Sequence, residues 1–361
     1  VLPAFVNAHT HLDLSICDGP LGYQGMSLPE WLIGIIQVRR QNTAAGSTDA
    51  VHRGIRDCQT FGSSLIGNIA GTPWQSTEPS GGDPAIVDFF EQLGADSNQA
   101  DAKHALLEKH LDQPGQLRPA GNAMVGISPH APYSISVQLF DLTIDLALSR
   151  NLPVAMHLAE SMEERQFLDN RSGPFREVLA AAGIDPEKTE LPTIRHCLHR
   201  MSECESAIVV HGNYLTDSEL DLIAENSARL SVVWCPRTHG WFGHSPWPVR
   251  KMLQRGICVA IGTDSRASNP DLDVLAELQA IAKSESSLAP RTILQMGTLN
   301  GVRALRGNLT DDRRVPLVML QYADEIPDDP ESAVLSLIPE KRTLWKLSHA
   351  QSQKNGPAIR P

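Results

Sequence analysis

The residues best suited to chemistry are a pair of histidines, His9 and His11, separated only by Thr10 at the end of the chain's first apolar run. In an extended chain side chains repeat every two residues, so both imidazoles face the same way and can reach one metal ion. An H-x-H pair alone is weak evidence. Further apolar runs close on His157, on His211 and, just beyond a last run, on Asp264. Neutral imidazoles with a carboxylate form a mixed nitrogen and oxygen shell that suits Zn²⁺, with Fe²⁺ or Mn²⁺ as alternatives. A bound metal would lower the pKa of a coordinated water toward ~7, which is hydrolytic chemistry. The zinc-deaminase signature H-x-E with P-C-x-x-C is absent, as are H-E-x-x-H and G-x-G-x-x-G.

Residues so far apart need a scaffold that gathers strand ends. Eight short, β-branched runs can be placed: 2–8, 64–70, 85–90, 123–128, 153–157, 207–211, 230–234 and 257–262. Between them lie stretches of helical period, such as Trp31, Leu32, Ile35, Ile36 and Val38, or Val137, Leu139, Phe140, Leu142, Ile144 and Leu146. Repeated βα units predict a parallel sheet, and eight strands close a (β/α)8 TIM barrel. Barrel active sites are built at the C-terminal strand ends, where these histidines and Asp264 fall.

The 361 residues carry 31 basic and 42 acidic side chains, a formal charge of -11, with no Lys/Arg-dense stretch. A nucleic-acid polymer is therefore excluded as a partner, because phosphate affinity is built from clustered positive charge. No run is long and apolar enough to span a membrane and no signal peptide is visible, so a cytoplasmic location is expected. Six cysteines without a C-x-x-C read as buried thiols.

Six motifs in order carry a resemblance over residues 1–306. They are Val6-Asn7-Ala8-His9-Thr10-His11-Leu12, Ser128-Pro129-His130-Ala131-Pro132-Tyr133-Ser134, His157-Leu158-Ala159-Glu160-Ser161, Val210-His211-Gly212-Asn213-Tyr214, Cys235-Pro236-Arg237 and Gly262-Thr263-Asp264-Ser265. Together they resemble the amidohydrolase superfamily, in the branch of cytosine, guanine, S-adenosylhomocysteine and aminofutalosine deaminases and triazine chlorohydrolases. The resemblance implies that His9, His11, His157 and Asp264 hold one metal. It implies that Asp264 also takes the proton of the nucleophilic water and that His211 holds that water or the polarised substrate atom. Glu160 would then pass a proton to a ring nitrogen and to leaving ammonia. Relatives with two metals bridge them by a carboxylated lysine at the fourth strand's end. This chain has no Lys from His110 to Glu187, which leaves a mononuclear site. His130, Arg237 and His239 are the expected substrate contacts, and Trp31, Trp74 and Trp241 could wall a pocket for an aromatic substrate. His196 and His199 are expected away from the site.

The chain is thus expected to be an aminohydrolase releasing ammonia from a purine, pyrimidine or related heterocycle. The same site could serve an amidase or a triazine-type chlorohydrolase, and a catalytically silent barrel is the non-enzymatic alternative. Residues 307–361 are expected as an irregular appendage with short strands at Val315–Leu320 and Ala333–Leu337 and a disordered last dozen residues. Relatives carry a small β-sandwich built from segments before the first barrel strand and after the last helix. The start at Val1 and a displaced Ala323-Asp324 predict an incomplete sandwich in a chain processed or cut from a longer one, with an apolar flank on which two copies could pair.

Overall fold

The computed structural model describes residues 1–71, 84–113, 123–187, 189–306, 316–323 and 329–345. Trp74, His349, the run 311–314, Asp324 and the last dozen residues lie outside them.

Eight parallel strands run β2 (Phe5–Thr10), β3 (Ser63–Ala70), β4 (Ala85–Gln92), β5 (Ala123–Pro129), β6 (Val154–Leu158), β7 (Ala207–His211), β8 (Leu230–Trp234) and β9 (Cys258–Ile261), hydrogen-bonded in that order. Every residue of β2, β3, β4 and β6 to β9 is buried, which is why these strands read as continuous apolar runs rather than alternating ones. A parallel bridge between Thr10 and Asp264 brings the last unit back to the first, so the sheet closes as a (β/α)8 barrel. The closing seam is tight. The backbone N–H groups of Thr263 and Asp264 both donate to His9 O at 3.1 Å, and His11 N donates to Asp264 O at 3.2 Å. Gly262 is required there, because a Cβ at that position would stand 2.7 Å from His9 O and 2.8 Å from His9 Cβ.

The first apolar run does not form one strand. It divides at Ala4 into β2 and a two-residue strand, β1 (Leu2–Pro3), which leaves the barrel to pair with β10 (Leu317–Gln321), itself paired with β11 (Lys341–Trp345). The short strand expected at Val315–Leu320 is β10, and it belongs to this separate antiparallel sheet. The strand expected at Ala333–Leu337 is instead a helix, Pro330–Ser336. Asp329 caps it by accepting the N–H groups of Glu331 and Ser332, and Pro330 occupies the first turn, so local capping chemistry overrides the apolar run. Among the described residues no helix is long and apolar enough to cross a membrane.

One helix covers the C-terminal mouth of the barrel. Ser27 opens the helix Leu28–Gln41 by accepting Glu30 N, and Arg39 and Arg40 close it favourably for its dipole. Trp31 Nε1 donates to Ala267 O at 2.9 Å and Arg40 donates to Ala181 O at 3.0 Å, tying the helix to the loop after β9 and to the helix Phe175–Ala181.

Candidate active site

Among the described residues, three of the five non-glycine residues with positive φ stand at strand ends of the barrel: Ala159 (φ 52°), His211 (φ 68°) and Asp264 (φ 55°). The left-handed region costs an L-residue about 1–2 kcal/mol, so this clustering marks the place where backbone strain is tolerated to aim side chains inward.

The side chains converge. His11 Nε2 lies 3.3 Å from His157 Nε2, and Asp264 Oδ1 lies 3.4 Å from His9 Nε2 and 3.7 Å from His11 Nε2. His211 offers a ring nitrogen within 4.8 Å of ligand atoms of His9 and Asp264, and all five residues are buried. Two ligands at ~2.0–2.1 Å from one tetrahedral Zn²⁺ stand roughly 3.3 Å apart, so these separations fit a shared ion. The hydrogen bonding points the same way. His157 Nδ1 donates to His130 O at 2.9 Å, which leaves the Nε2 lone pair facing His11, and His9 Nε2 has no hydrogen-bond partner. Burial, reinforced by neighbouring imidazoles, holds His11, His157 and His211 well below the usual histidine range, so they are neutral and able to coordinate. Ser268 Oγ donates to Asp264 Oδ2 at 2.6 Å. Burial alone would raise the Asp264 pKa, but the neighbouring His9, His211 and His11 outweigh it and hold the carboxylate well below its ordinary range. Three imidazoles, that of His9 with an unpartnered nitrogen, and a carboxylate could therefore hold one divalent metal.

Glu160 lies beside this group, with Oε1 3.3 Å from His211 Nε2. Burial first, then the Asp264 and Glu164 charges, push its pKa well above the carboxylate range, which favours its proton-holding form. His211 is fixed from behind by Trp247, whose Nε1 donates to His211 O at 2.9 Å.

The model of the amidohydrolase family matches residues 1–309, most of the chain and the whole barrel. The chain belongs to the amidohydrolase family. Among curated proteins it is 27% identical over 327 residues to the aminodeoxyfutalosine deaminase of Deinococcus radiodurans, covering 87% of this chain and 75% of that protein. It is 26% identical over 330 residues to a 5'-deoxyadenosine deaminase of Methanococcus maripaludis, covering 85% and 70%. Among solved structures, the aminofutalosine deaminase of Helicobacter pylori in complex with methylthio-coformycin superposes with a TM-score of 0.73 at 20% identity, over 92% of this chain and 81% of that one. That likeness establishes the shared fold.

In this amidohydrolase His130, not a lysine, directly follows the fourth barrel strand, β5. His130 Nδ1 meets Ser134 Oγ at 2.7 Å, while that hydroxyl donates to Ala131 O, so Nδ1 carries the proton and Nε2 is an acceptor turned to the cavity. Burial, helped by Arg39 and His9, lowers the His130 pKa to about 3. The structure does not bring the other two expected substrate contacts into the cavity. Arg237 is held by Asp271, at 2.7 and 3.3 Å, and by Glu277, at 3.8 Å. His239 reaches Asn213 Oδ1 at 3.2 Å and Ser245 O at 2.8 Å, behind the site. His196 pairs with Asp141 on an outer helix, as expected of a residue away from the site.

The cavity at the histidines is small, about 50 Å³, and walled by Leu14, Leu28, Trp31, Leu32, Ile35, Arg39 and Tyr133. A larger one of about 640 Å³ shares Leu32, Ile35, Arg39, His130 and Tyr133 with it and continues between the helices Leu28–Gln41 and Phe175–Ala181. Sequence reasoning missed Arg39 together with its carboxylates: Asp13 Oδ2 and Glu91 Oε2 each lie 3.4 Å from the guanidinium, and Glu91 Oε1 lies 3.8 Å from His130 Nε2. Glu91 had a signal, since it sits at the C-terminal end of the third barrel strand. Arg39, in the last turn of an amphipathic helix, had none.

Proposed function

We propose that this amidohydrolase is a mononuclear, zinc-dependent deaminase that converts a C–NH2 group of an adenosine-type nucleoside to C=O and releases ammonia. The observation that carries the reading is the clustering of His9, His11, His157 and Asp264 at pairwise separations of 3.3, 3.4 and 3.7 Å, with the buried Glu160 carboxyl against His211. Nitrogen-rich donors with one carboxylate favour zinc over harder cations. When bound, the ion would supply Lewis acidity and hydroxide at neutral pH.

The rest falls to the protein's own side chains. Asp264 Oδ1, left free by the Ser268 bond to Oδ2, accepts the proton of the attacking water. Glu160 gives its proton to the ring nitrogen next to the carbon under attack, which lets the ring accept electrons, and passes the proton taken by Asp264 on to the amine, which departs as ammonia while the hydroxyl proton released as C=O forms returns to Glu160. His211, neutral and anchored, holds the oxygen side of the reacting carbon near Glu160. His130 Nε2 faces the cavity as an acceptor for a substrate N–H or O–H. The relatives named above act on adenosine derivatives with a modified 5' group, and the 640 Å³ cavity leaves room for more than a free base. Six free, buried cysteines accord with a reducing compartment such as the cytoplasm.

The test is ammonia release from adenine, adenosine, 5'-deoxyadenosine, 5'-methylthioadenosine, cytosine, guanine and an amino-substituted triazine, with metal content measured on the same sample. About one equivalent of zinc and a preference for nucleosides over bases support the reading. A metal-free protein inactive on the whole panel refutes it, and turnover of the triazine alone replaces it with a triazine hydrolase.

A further inference from the structure

We propose that Glu164, with Asn213 opposite it, is a positioning residue that holds the Glu160 turn in its working geometry; the inference rests on the reading of Glu160 as the proton shuttle. The turn is strained, since Ala159 occupies left-handed space without being glycine. Left alone it would relax and swing Glu160 away from His211. Every backbone polar group of the two residues is pinned. The Glu164 carboxylate, fully buried, accepts Ala159 N–H at Oε1 (3.1 Å) and Glu160 N–H at Oε2 (2.6 Å). On the other side Tyr214 N–H donates to Ala159 O at 2.9 Å and Asn213 Nδ2 donates to Glu160 O at 2.8 Å.

This is not ordinary helix capping. In a capping box the third helical residue reaches back to the N–H of the cap itself, as Glu219 does to Thr216 N in this chain. Glu164 is the third residue of the helix Met162–Asn170, whose cap is Ser161, yet its carboxylate passes over Ser161 to the two residues before it. Both oxygens are spent on the shuttle's own peptide groups. The brace is anchored in turn, because Arg165 donates to Tyr214 O and to Glu219, tying this helix to the loop that follows His211. The ends of β6 and β7, which bear Glu160 and His211, are thereby locked to each other.

Only a carboxylate presents two acceptors here. In Glu164→Gln one backbone N–H would face an amide N–H₂, one of the two bonds is lost, and the turn tips. Displacements of about an ångström at a reacting group cost up to ~100-fold in rate. The experiment compares Glu164→Gln, Glu160→Gln, the double variant and Thr193→Ala on one adenosine-type substrate, measuring kcat, KM, zinc content and thermal midpoint. Thr193 caps an outer helix by accepting His196 N, so its loss reports stability alone. The expected result is a kcat roughly 10- to 100-fold lower in Glu164→Gln, with KM within about threefold and zinc unchanged. The double variant should be no slower than Glu160→Gln, because Glu164 acts only through Glu160. Thr193→Ala should lower the midpoint and leave kcat intact. An unchanged kcat in Glu164→Gln, or losses that multiply in the double variant, would overturn the brace. If Glu164→Gln cannot be purified, Asn213→Ala reads the carbonyl side of the same turn by the same comparison. Should Glu160→Gln itself turn over at the full rate, the shuttle assignment fails, and the brace with it.

Discussion

Replacing Arg39 with Met is expected to destabilise the protein in a way that grows with pH. The guanidinium lies 3.4 Å from Asp13 Oδ2 and 3.4 Å from Glu91 Oε2, with Glu91 fully buried and Asp13 mostly so. At an effective dielectric of ~20 each contact is worth about 5 kcal/mol of gross attraction. Removing Arg39 also returns its own desolvation cost, and breaking a buried pair from one side typically costs about 3–5 kcal/mol net. At ~2.1 cal/mol/K of unfolding entropy per residue over 361 residues, that predicts a midpoint lower by about 4–7 °C. Burial already raises the Asp13 pKa, Arg39 lowers it and Glu91 raises it, so without Arg39 it climbs further. A carboxyl whose folded pKa exceeds its unfolded one keeps its proton in the native state, so stability falls as pH rises between the two values. Calorimetry from pH 5 to pH 8 should therefore show the gap between variant and wild type widening with pH. Adding Glu91→Gln to the Arg39 variant should recover more than half of the loss. A midpoint within about 1 °C of wild type, or a gap that is flat across pH, would refute the reasoning.

Removing the metal should lower the midpoint by about 5 °C when the protein is compared with a sample at roughly a thousandfold metal excess over Kd, and one equivalent of zinc should restore both midpoint and ammonia release. Gly262→Ala should cost about 1–3 kcal/mol and reduce bound zinc, since its Cβ would meet His9 backbone atoms that cannot rotate away; equal metal content and stability would contradict the tight seam. Glu277, buried against Arg237 and Asn269, has its pKa raised by burial to about 7 from an ordinary 4.5. It binds more protons folded than unfolded in that window, so stability should decline by up to about 3 kcal/mol between pH 4.5 and 7, and Glu277→Gln should flatten the decline in urea titrations.

The barrel was legible in the chain because parallel strands covered on both faces must be apolar throughout, and seven of the eight runs fall within two residues of the strands observed. His9, His11, His157, His211 and Asp264 were legible because a barrel collects its chemistry at one end of its strands, so position along a run already implies direction. The split of the first run at Ala4 and the helix at Pro330–Ser336 were not, since pairing with β10 and capping by Asp329 decide them, and an apolar run of that length suits either element. Arg237 and His239 illustrate the same limit at the site. Their motif places them in the seventh loop, but only packing against Asp271 and Asn213 sets which way they face. Residue type and strand-end position are properties of the sequence and marked out the candidate cation-binding set. The Arg39 cluster and the Glu164 brace join elements that touch only once the barrel has closed, so distance and burial, which exist only in three dimensions, decided them.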